Sequence, residues 1–120
     1  MKLITFAAAL FSVAALSSSA FAQCEVKGST FIWGSDTDVT MYLNKGETCG
    51  VGLVMRGSMV DSITVISPAK NGAVGAAGLT AFGYRPKPGF VGADAFKVRA
   101  IGSNNSSKGP IIFNVTVVVK

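Results

Sequence analysis

Apolar and polar residues alternate with a period of two along most of this chain. The alternation is clearest in five runs, whose apolar positions are Val39, Met41 and Leu43; Cys49, Val51, Leu53 and Met55; Ile63 and Val65; Phe96, Val98 and Ala100; and Ile111, Phe113, Val115, Val117 and Val119. A period of two places successive side chains on opposite faces of a β-strand, so one face is buried and the other is exposed. No window after Ala22 has the period and the capping residues of an amphipathic helix. The pattern therefore predicts an all-β protein.

Clusters of turn-forming residues separate the predicted strands. They are rich in Gly, Pro, Asn and Ser and lie at positions 44–46, 56–58, 68–72, 86–92 and 102–110. Turns at intervals of about 8–12 residues are typical of antiparallel sandwiches, so we predict an immunoglobulin-like β-sandwich of about seven strands. A small barrel is the alternative. The run GSNNSSKG, Gly102–Gly109, predicts a flexible loop.

The N-terminal segment has the features of a secretory signal peptide. Lys2 precedes an apolar run, Leu3–Leu16, and the small-x-small sequence Ala20-Phe21-Ala22 follows a patch of serines. A membrane anchor would need about 20 apolar residues, and this run is shorter. We therefore expect cleavage after Ala22, a single domain at 23–120, and export to the periplasm or the medium with no transmembrane segment left. Gln23 rather than a cysteine would follow the cleavage point, which argues against a lipoprotein.

The two cysteines, Cys24 and Cys49, both lie after the predicted cleavage point. Export delivers them to an oxidising compartment, so we predict a Cys24–Cys49 disulfide. In the chain-entropy model, closing a loop of this length stabilises the fold by about 3 kcal/mol. Two free thiols are the alternative. A metal site is not expected, because the chain has no histidine and no further cysteine to complete a ligand set.

The run YRPKPGFVGADAF, at 84–96, is the most distinctive in the chain. Its prolines disfavour helix, and its glycines permit backbone angles that other residues avoid. Phe90 is predicted to pack the loop onto the core, and the Asp94 carboxylate to accept backbone N–H groups and close the turn. An anion-binding loop is the alternative, but such a loop normally has a helix N-terminus behind it. We therefore predict a structural corner formed by Tyr84, Pro86, Pro88, Gly89, Phe90, Gly92, Asp94 and Phe96.

These corner residues resemble a hallmark of cadherin-like and bacterial immunoglobulin-like domains, which occur as tandem repeats in large bacterial surface proteins. The hallmark, tyrosine-x-proline followed by proline-glycine-phenylalanine-x-glycine-x-aspartate-x-phenylalanine, is matched at each of its positions. A second family feature is a proline shortly before an Asn/His-Gly turn and a valine. It is matched by Pro68, Asn71-Gly72 and Val74. The resemblance covers about Ile63 to Val119 and implies a sandwich fold. It implies no activity, because such domains serve as spacers, adhesion modules or additions to enzymes.

The chain departs from this family in two respects. One copy of the domain forms nearly the whole predicted exported product, whereas the relatives usually occur in series. Many relatives also carry an acidic residue after the strand that begins with the motif, where this chain has Ile101-Gly102-Ser103. The second departure weakens any transfer of the calcium binding that some cadherin-like domains show between repeats.

The remaining candidate sites for chemistry are weak. Asp36 and Asp38 form a D-x-D pair, but calcium needs about 6–8 oxygen ligands, so we predict solvated caps there, with no metal and no cofactor. A chain without histidine lacks the Ser-His and Cys-His arrangements of nucleophilic catalysis. Its six acidic residues fall near predicted turns or termini, and no pair stands out for glycosidase chemistry. We therefore predict no enzymatic activity.

The net charge of +5 includes one lysine of the predicted signal peptide. Lys97 and Arg99 share the exposed face of one predicted strand, and Arg85 and Lys87 lie in the adjoining corner, but the other basic residues are dispersed. Nucleic-acid binders cluster their charge and interleave aromatic residues, so nucleic acid is not expected as a partner. Trp33, the only tryptophan, is predicted to pack in the core or at its edge. The charge favours solubility and attraction to anionic envelope surfaces.

Together these features predict a non-catalytic exported module that binds an unknown protein or envelope surface, or serves a structural or adhesion role there. Its expected recognition surfaces are the loop Gly102–Gly109 and the unpaired edges of its sheets, which can accept a strand from a partner. A disulfide-linked sandwich would hold short loops in place and limit the entropy lost on binding. The alternative is an inhibitor or accessory subunit of an exported enzyme, with the loop at 102–110 inserted into the active site.

Overall fold

The computed structural model describes residues 24–28, 30–53 and 57–120, and in these ranges the protein is all-β, as predicted. The described residues contain no helix and form eight strands: β1 (Glu25–Lys27), β2 (Thr37–Leu43), β3 (Cys49–Gly52), β4 (Met59–Ser67), β5 (Gly72–Ala77), β6 (Ala81–Pro86), β7 (Gly92–Ser103) and β8 (Lys108–Val119). The predicted signal peptide at 1–22 and its cleavage point lie outside the described residues, as does Met55. A helix of the length and apolarity needed to cross a membrane is absent from the described residues.

The strands form two sheets. The larger sheet has the order β1-β2-β8-β7-β4, and the smaller has the order β3-β6-β5. All neighbouring strands are antiparallel except β2 and β8, which pair in parallel through seven residue pairs, from Thr37–Phe113 to Leu43–Val119. The prediction of an antiparallel arrangement is therefore wrong at this pair, and the described residues form eight strands where about seven were predicted. Hydrophobic alternation reports which face of a strand is buried, but it carries no information on the direction of its neighbour.

The core lies between the two sheets and includes most of the positions that the alternation predicted to be buried. Met41 and Val98 from the larger sheet and Val51 from the smaller one are each at most 3% exposed. The Phe82 and Phe113 rings, one from each sheet, have centroids 5.2 Å apart. Burial of a side chain of this size stabilises the fold by about 1.5–3 kcal/mol relative to its exposure. This shared core holds the two sheets face to face.

The predicted disulfide is present between Cys24 and Cys49. Cys24 directly precedes β1 in the larger sheet, and Cys49 is the first residue of β3 in the smaller one. Their Cα atoms lie 5.5 Å apart, and the bond closes a loop of 25 positions. The disulfide is thus a covalent link between the two layers.

The hairpin of β7 and β8 is longer than the sequence predicted, because the two strands pair over their entire lengths. The predicted flexible loop Gly102–Gly109 is therefore wrong at both ends, and only Asn104–Ser107 connects the strands. This short connection is ordered by Asn104, whose side-chain oxygen accepts hydrogen bonds from the Ser106 and Ser107 amides at 2.9 Å. Glycine and lysine are depleted in strands, so the local composition gave no indication that the ladder continues through them.

Gly102 of β7 packs against the ring of Trp33. The tryptophan is 2% exposed, and its indole N–H donates to the Ser58 hydroxyl at 3.3 Å. A Cβ atom at position 102 would lie 2.6 Å from the Trp33 ring and 2.5 Å from the Met59 carbonyl oxygen. Trp33 is therefore a core residue, and the space it fills requires glycine at position 102.

Gly102→Ala is expected to lower the free energy of unfolding by about 1–3 kcal/mol, because the added methyl group overpacks the Trp33 site. Since Trp33 is the only tryptophan, its fluorescence should shift to longer wavelength as the ring is displaced towards water. Gly52→Ala is the matched control, because a Cβ atom there meets nothing within 4 Å. Equal stability and equal emission in the two variants would contradict this account of the packing.

Candidate functional site

The predicted corner connects β6 to β7, so the chain crosses there from the smaller sheet to the larger one. Of the corner residues, Tyr84 and Pro86 lie in β6, Pro88, Gly89 and Phe90 in the connection, and Gly92, Asp94 and Phe96 in β7. The Phe90 amide donates to the Lys87 carbonyl at 3.0 Å, and Gly89 has a φ of 78°, which glycine adopts without strain. Phe90 is half-buried against the core.

The Asp94 carboxylate is the centre of the corner and accepts four hydrogen bonds. Its donors are the amides of Lys70 at 3.0 Å, Asn71 at 2.8 Å and Ala95 at 2.9 Å, together with the Tyr84 hydroxyl at 2.9 Å. The sequence predicted that Asp94 would close its own turn. Instead, two of the amides belong to the β4–β5 connection, 23 and 24 positions earlier in the chain. Asp94 therefore joins a turn, the smaller sheet and the larger sheet at one point.

The surroundings of Asp94 and Tyr84 shift both pKa values. Burial alone would raise the pKa of Asp94, but the hydrogen bonds from Lys70, Asn71, Ala95 and Tyr84 outweigh it and lower the pKa below its ordinary value. Burial of Tyr84, its hydrogen bond to Asp94 and the negative charge of that carboxylate all raise the tyrosine pKa. At neutral pH the pair is therefore a carboxylate and a neutral phenol. A carboxylate that accepts four hydrogen bonds is a poor proton acceptor. This arrangement suits a structural role, in which Asp94 links the β4–β5 connection to the two sheets.

Acid is expected to weaken the fold through Asp94. Because the pKa of Asp94 is lower in the folded state than its value of about 3.9 in an unfolded chain, the unfolded state takes up the proton first. The stabilisation that the ionised Asp94 gives to the folded state is fully present above about pH 4. It is lost as the pH falls through the pKa that Asp94 has in the folded state. Denaturant unfolding from about pH 6 to about pH 2 should show a shallower acid dependence in Asp94→Asn than in the wild type. Parallel curves for the two proteins would rule out this contribution.

The other residues considered from the sequence do not converge on a site. No group of three or more His, Cys, Asp or Glu side chains is placed to hold a metal ion within the described ranges. Asp36 accepts a hydrogen bond from the Ile112 amide at 3.3 Å, and Asp38 is exposed on β2. Lys97 and Arg99 are both exposed on β7, as the alternation predicted. These side chains are dispersed over the surface.

The sequence missed the outward face of the smaller sheet, where, apart from Arg85, the strands carry only glycine and alanine. Gly50, Gly83 and Gly75 are register neighbours across its three strands, and the next row consists of Gly52, Ala81 and Ala77. A shallow depression of about 370 Å³ lies over this face. The signal was the small-residue run GAVGAA at 72–77. Alanine and glycine are depleted in strands, so the run did not stand out as one.

Comparisons with known proteins give little guidance. No protein-family model matches the chain, and no curated protein matches it significantly. Among solved structures, the chain is similar to an endo-fucoidan hydrolase from glycoside hydrolase family 107, at 14% identity and a TM-score of 0.42. The match covers 74% of this chain and 14% of the hydrolase chain. At this level of similarity, neither fold nor activity carries over.

Proposed function

We propose that this protein is a non-catalytic exported module of the bacterial envelope or medium, which presents loops and sheet edges to a partner. The disulfide between Cys24 and Cys49 supports export, because such bonds persist in oxidising compartments. The N-terminal sequence supports it independently, since it has the features of a secretory signal peptide.

An immunoglobulin-like fold of the cadherin-like type is part of the proposal. If β2 to β8 are lettered A to G, the smaller sheet has the order B-E-D, and the larger one contains C, F and G as neighbours. This division of strands is that of immunoglobulin constant-type domains, except that strand A has moved from B to pair with G. The strand order and the match of the corner residues to the family hallmark both support this assignment.

The open edge of β5 is the observation that carries the proposed binding role. β5 is the outermost strand of the smaller sheet, and no strand among the described residues pairs with its outer side. Backbone N–H and C=O groups along such an edge can pair with an extended segment of another chain, which is a common mode of recognition. The Asn104–Ser107 turn at the end of the β7–β8 hairpin is a smaller second surface. Because this turn has only four residues, it is short for insertion into an active site, and the alternative of an enzyme inhibitor is less well supported than the binding role.

Fractionation, crosslinking and mass spectrometry of the native protein test the proposal. We expect the chain to begin at Gln23, to carry the disulfide, and to occur in the periplasm, at the cell surface or in the medium. Crosslinks to a surface protein, a cell-wall fraction or another copy would support a binding or structural role. Recovery inside the cytoplasm with the N-terminal segment intact would overturn export. A stoichiometric complex with an enzyme would favour the accessory-subunit alternative.

A further inference from the structure

Among the strands that the structure describes, three of the four sheet edges have features that discourage pairing with another chain. β1 has three residues, of which Glu25 and Lys27 are charged, and β3 has four residues and is linked to Cys24 by the disulfide. β4 has two register shifts, one of which places the exposed Asp61 at the edge. Short length, charge and bulges are the usual means by which natural sheets prevent edge-to-edge association.

The fourth edge, β5, has none of these features. Its six residues, GAVGAA, include no charge and no proline, and its register with β6 has no shift. The Lys87 amide donates to the Asn71 carbonyl just before the strand begins. Hydrogen-bonded pairs alternate along an antiparallel ladder, so Ala73, Gly75 and Ala77 bond to β6. The N–H and C=O groups of Val74 and Ala76 consequently point away from β6, in the plane of the sheet, towards its open edge.

Two copies of β5 can satisfy these groups by pairing with each other in an antiparallel arrangement. Residues that face each other across a pair share one side of the sheet, and β5 exposes Ala73, Gly75 and Ala77 on its outward side while Val74 faces the core. A twofold axis through Gly75 meets this condition. It pairs Val74 of each copy with Ala76 of the other and forms about four new hydrogen bonds. Gly75 then faces Gly75 of the second copy, at a Cα distance of about 4.5 Å.

Size and charge permit this approach. No side chain on β5 is larger than valine, and a Cβ atom at Gly75 has nothing within 4 Å, so the side chains of β5 itself leave room for the second strand. The nearest charge on the outward face is Arg85, one strand away from the edge. In the symmetric pair, the two Arg85 Cα atoms would be about 20 Å apart, given strand spacings of about 4.8 Å and rises of about 3.4 Å per residue. That separation exceeds the Debye length of about 8 Å at physiological salt, so their repulsion is screened.

We propose that β5 is a self-association edge, at which two copies of this protein join their smaller sheets into one continuous six-stranded sheet. The proposal rests on the proposed binding function and names the partner of that edge as a second copy. The twofold contact uses the β5 edge of both copies, so it closes as a dimer and does not grow into a filament. The contact involves only small side chains and is smaller than the about 1,600 Å² of a standard interface, so the dimer is expected to be weak and concentration-dependent.

A cysteine substitution tests the register directly. In the symmetric pair, the Cα distance of about 4.5 Å at position 75 lies within the range of about 4.4–6.8 Å that a disulfide requires. Under mild oxidation, the Gly75→Cys variant should form at least about tenfold more disulfide-linked homodimer than Gly52→Cys. Gly52 is the matched control, because it lies on the same outward face and also leaves room for a Cβ atom. Equal yields from the two variants would overturn the proposed register.

A second pair of variants tests the association without crosslinking. Sedimentation equilibrium of the wild type, expressed from the full sequence, should show the average mass rising towards that of a dimer between micromolar and millimolar concentration. Gly52→Lys should behave in the same way. Gly75→Lys should stay monomeric, because its two ammonium groups would face each other across the axis. A wild type that stays monomeric throughout, or a Gly75→Lys variant that dimerises equally, would overturn the proposal.

Crosslinking and fractionation in the native compartment distinguish a failure of self-association from a failure of the proposed function. If the Gly75→Cys variant crosslinks there to a different protein and not to itself, the edge binds a heterologous strand. Self-association would then be wrong while the binding function stands. If the wild type dimerises as described but is recovered only in the cytoplasm, the exported role fails while the self-association edge stands.

Discussion

Asp94→Ala is expected to lower the free energy of unfolding by about 3 kcal/mol or more. Asp94 is 8% exposed, and its carboxylate accepts hydrogen bonds from the amides of Lys70, Asn71 and Ala95 and from the hydroxyl of Tyr84. Its removal leaves these donors without their partner in a region that admits little water, and hydrogen bonds to a charged group are the more costly ones to lose. Because small domains are stable by only about 5–15 kcal/mol, the loss should be evident as a lower denaturation midpoint in guanidinium chloride.

Tyr84→Phe is the matched control for this prediction. It removes the hydroxyl that donates to Asp94 and keeps both the ring, which is fully buried, and its stacking on Phe96 at 5.8 Å. The three backbone donors remain, so we expect a smaller loss of about 1.5 kcal/mol. If Asp94→Ala costs no more than Tyr84→Phe, the backbone hydrogen bonds to the carboxylate contribute nothing measurable, and the account of this corner is wrong.

Loss of the disulfide is expected to have the second large effect. Replacing both cysteines, in Cys24→Ala/Cys49→Ala, should lower the free energy of unfolding by about 3 kcal/mol, because the unfolded chain regains the freedom of a loop of 25 positions. Cys49 is 2% exposed and packs within the core, so a small further loss is expected from its truncation to alanine. Equilibrium denaturation of the oxidised wild type and the double variant measures the difference.

A reducing agent separates the covalent effect from the packing effect. The wild type should lose most of the about 3 kcal/mol when its disulfide is reduced. The double variant should not respond to the same reagent. If the stability of the reduced wild type matches that of its oxidised form, the bond contributes nothing and the loss in the double variant comes from packing alone.

The all-β class could be predicted from the sequence because burial of one face gives the residues of a strand a period of two. In β2, β7 and β8 most inward residues are apolar and many outward ones are polar, so the alternation identified both the strands and their buried faces. The disulfide was predictable for a different reason, since only two cysteines are present. In each of these cases one simple property of the sequence was sufficient for the prediction.

The smaller sheet was harder to predict, because its outward positions, apart from Arg85, carry no contrasting polar side chains. β5 consists of glycine, alanine and one valine, so its inward and outward residues differ little in polarity. The strand exists because its backbone pairs with β6, whose Phe82 and Tyr84 are buried in the core. Tertiary packing of the neighbouring strand therefore decides the structure of a segment with weak strand propensity.

The role of Asp94 was only partly predictable. Its type and its position before a strand indicated that it would accept backbone hydrogen bonds. Two of its donors, the amides of Lys70 and Asn71, come from a turn 24 and 23 positions away. Such a contact depends on how the two sheets are stacked, and that stacking leaves no mark in the local sequence.

The Cys24–Cys49 link determines how the protein would respond to mechanical tension. β1 and β2 lie wholly inside the covalent loop, so a pulling force applied at Cys24 passes through the sulfur bridge to β3. The ladder between β2 and β8 then carries none of that load along β2. In the reduced protein the same force would travel along β2 and shear its seven pairs with β8. The oxidation state of one bond thus selects which part of the molecule resists stretching.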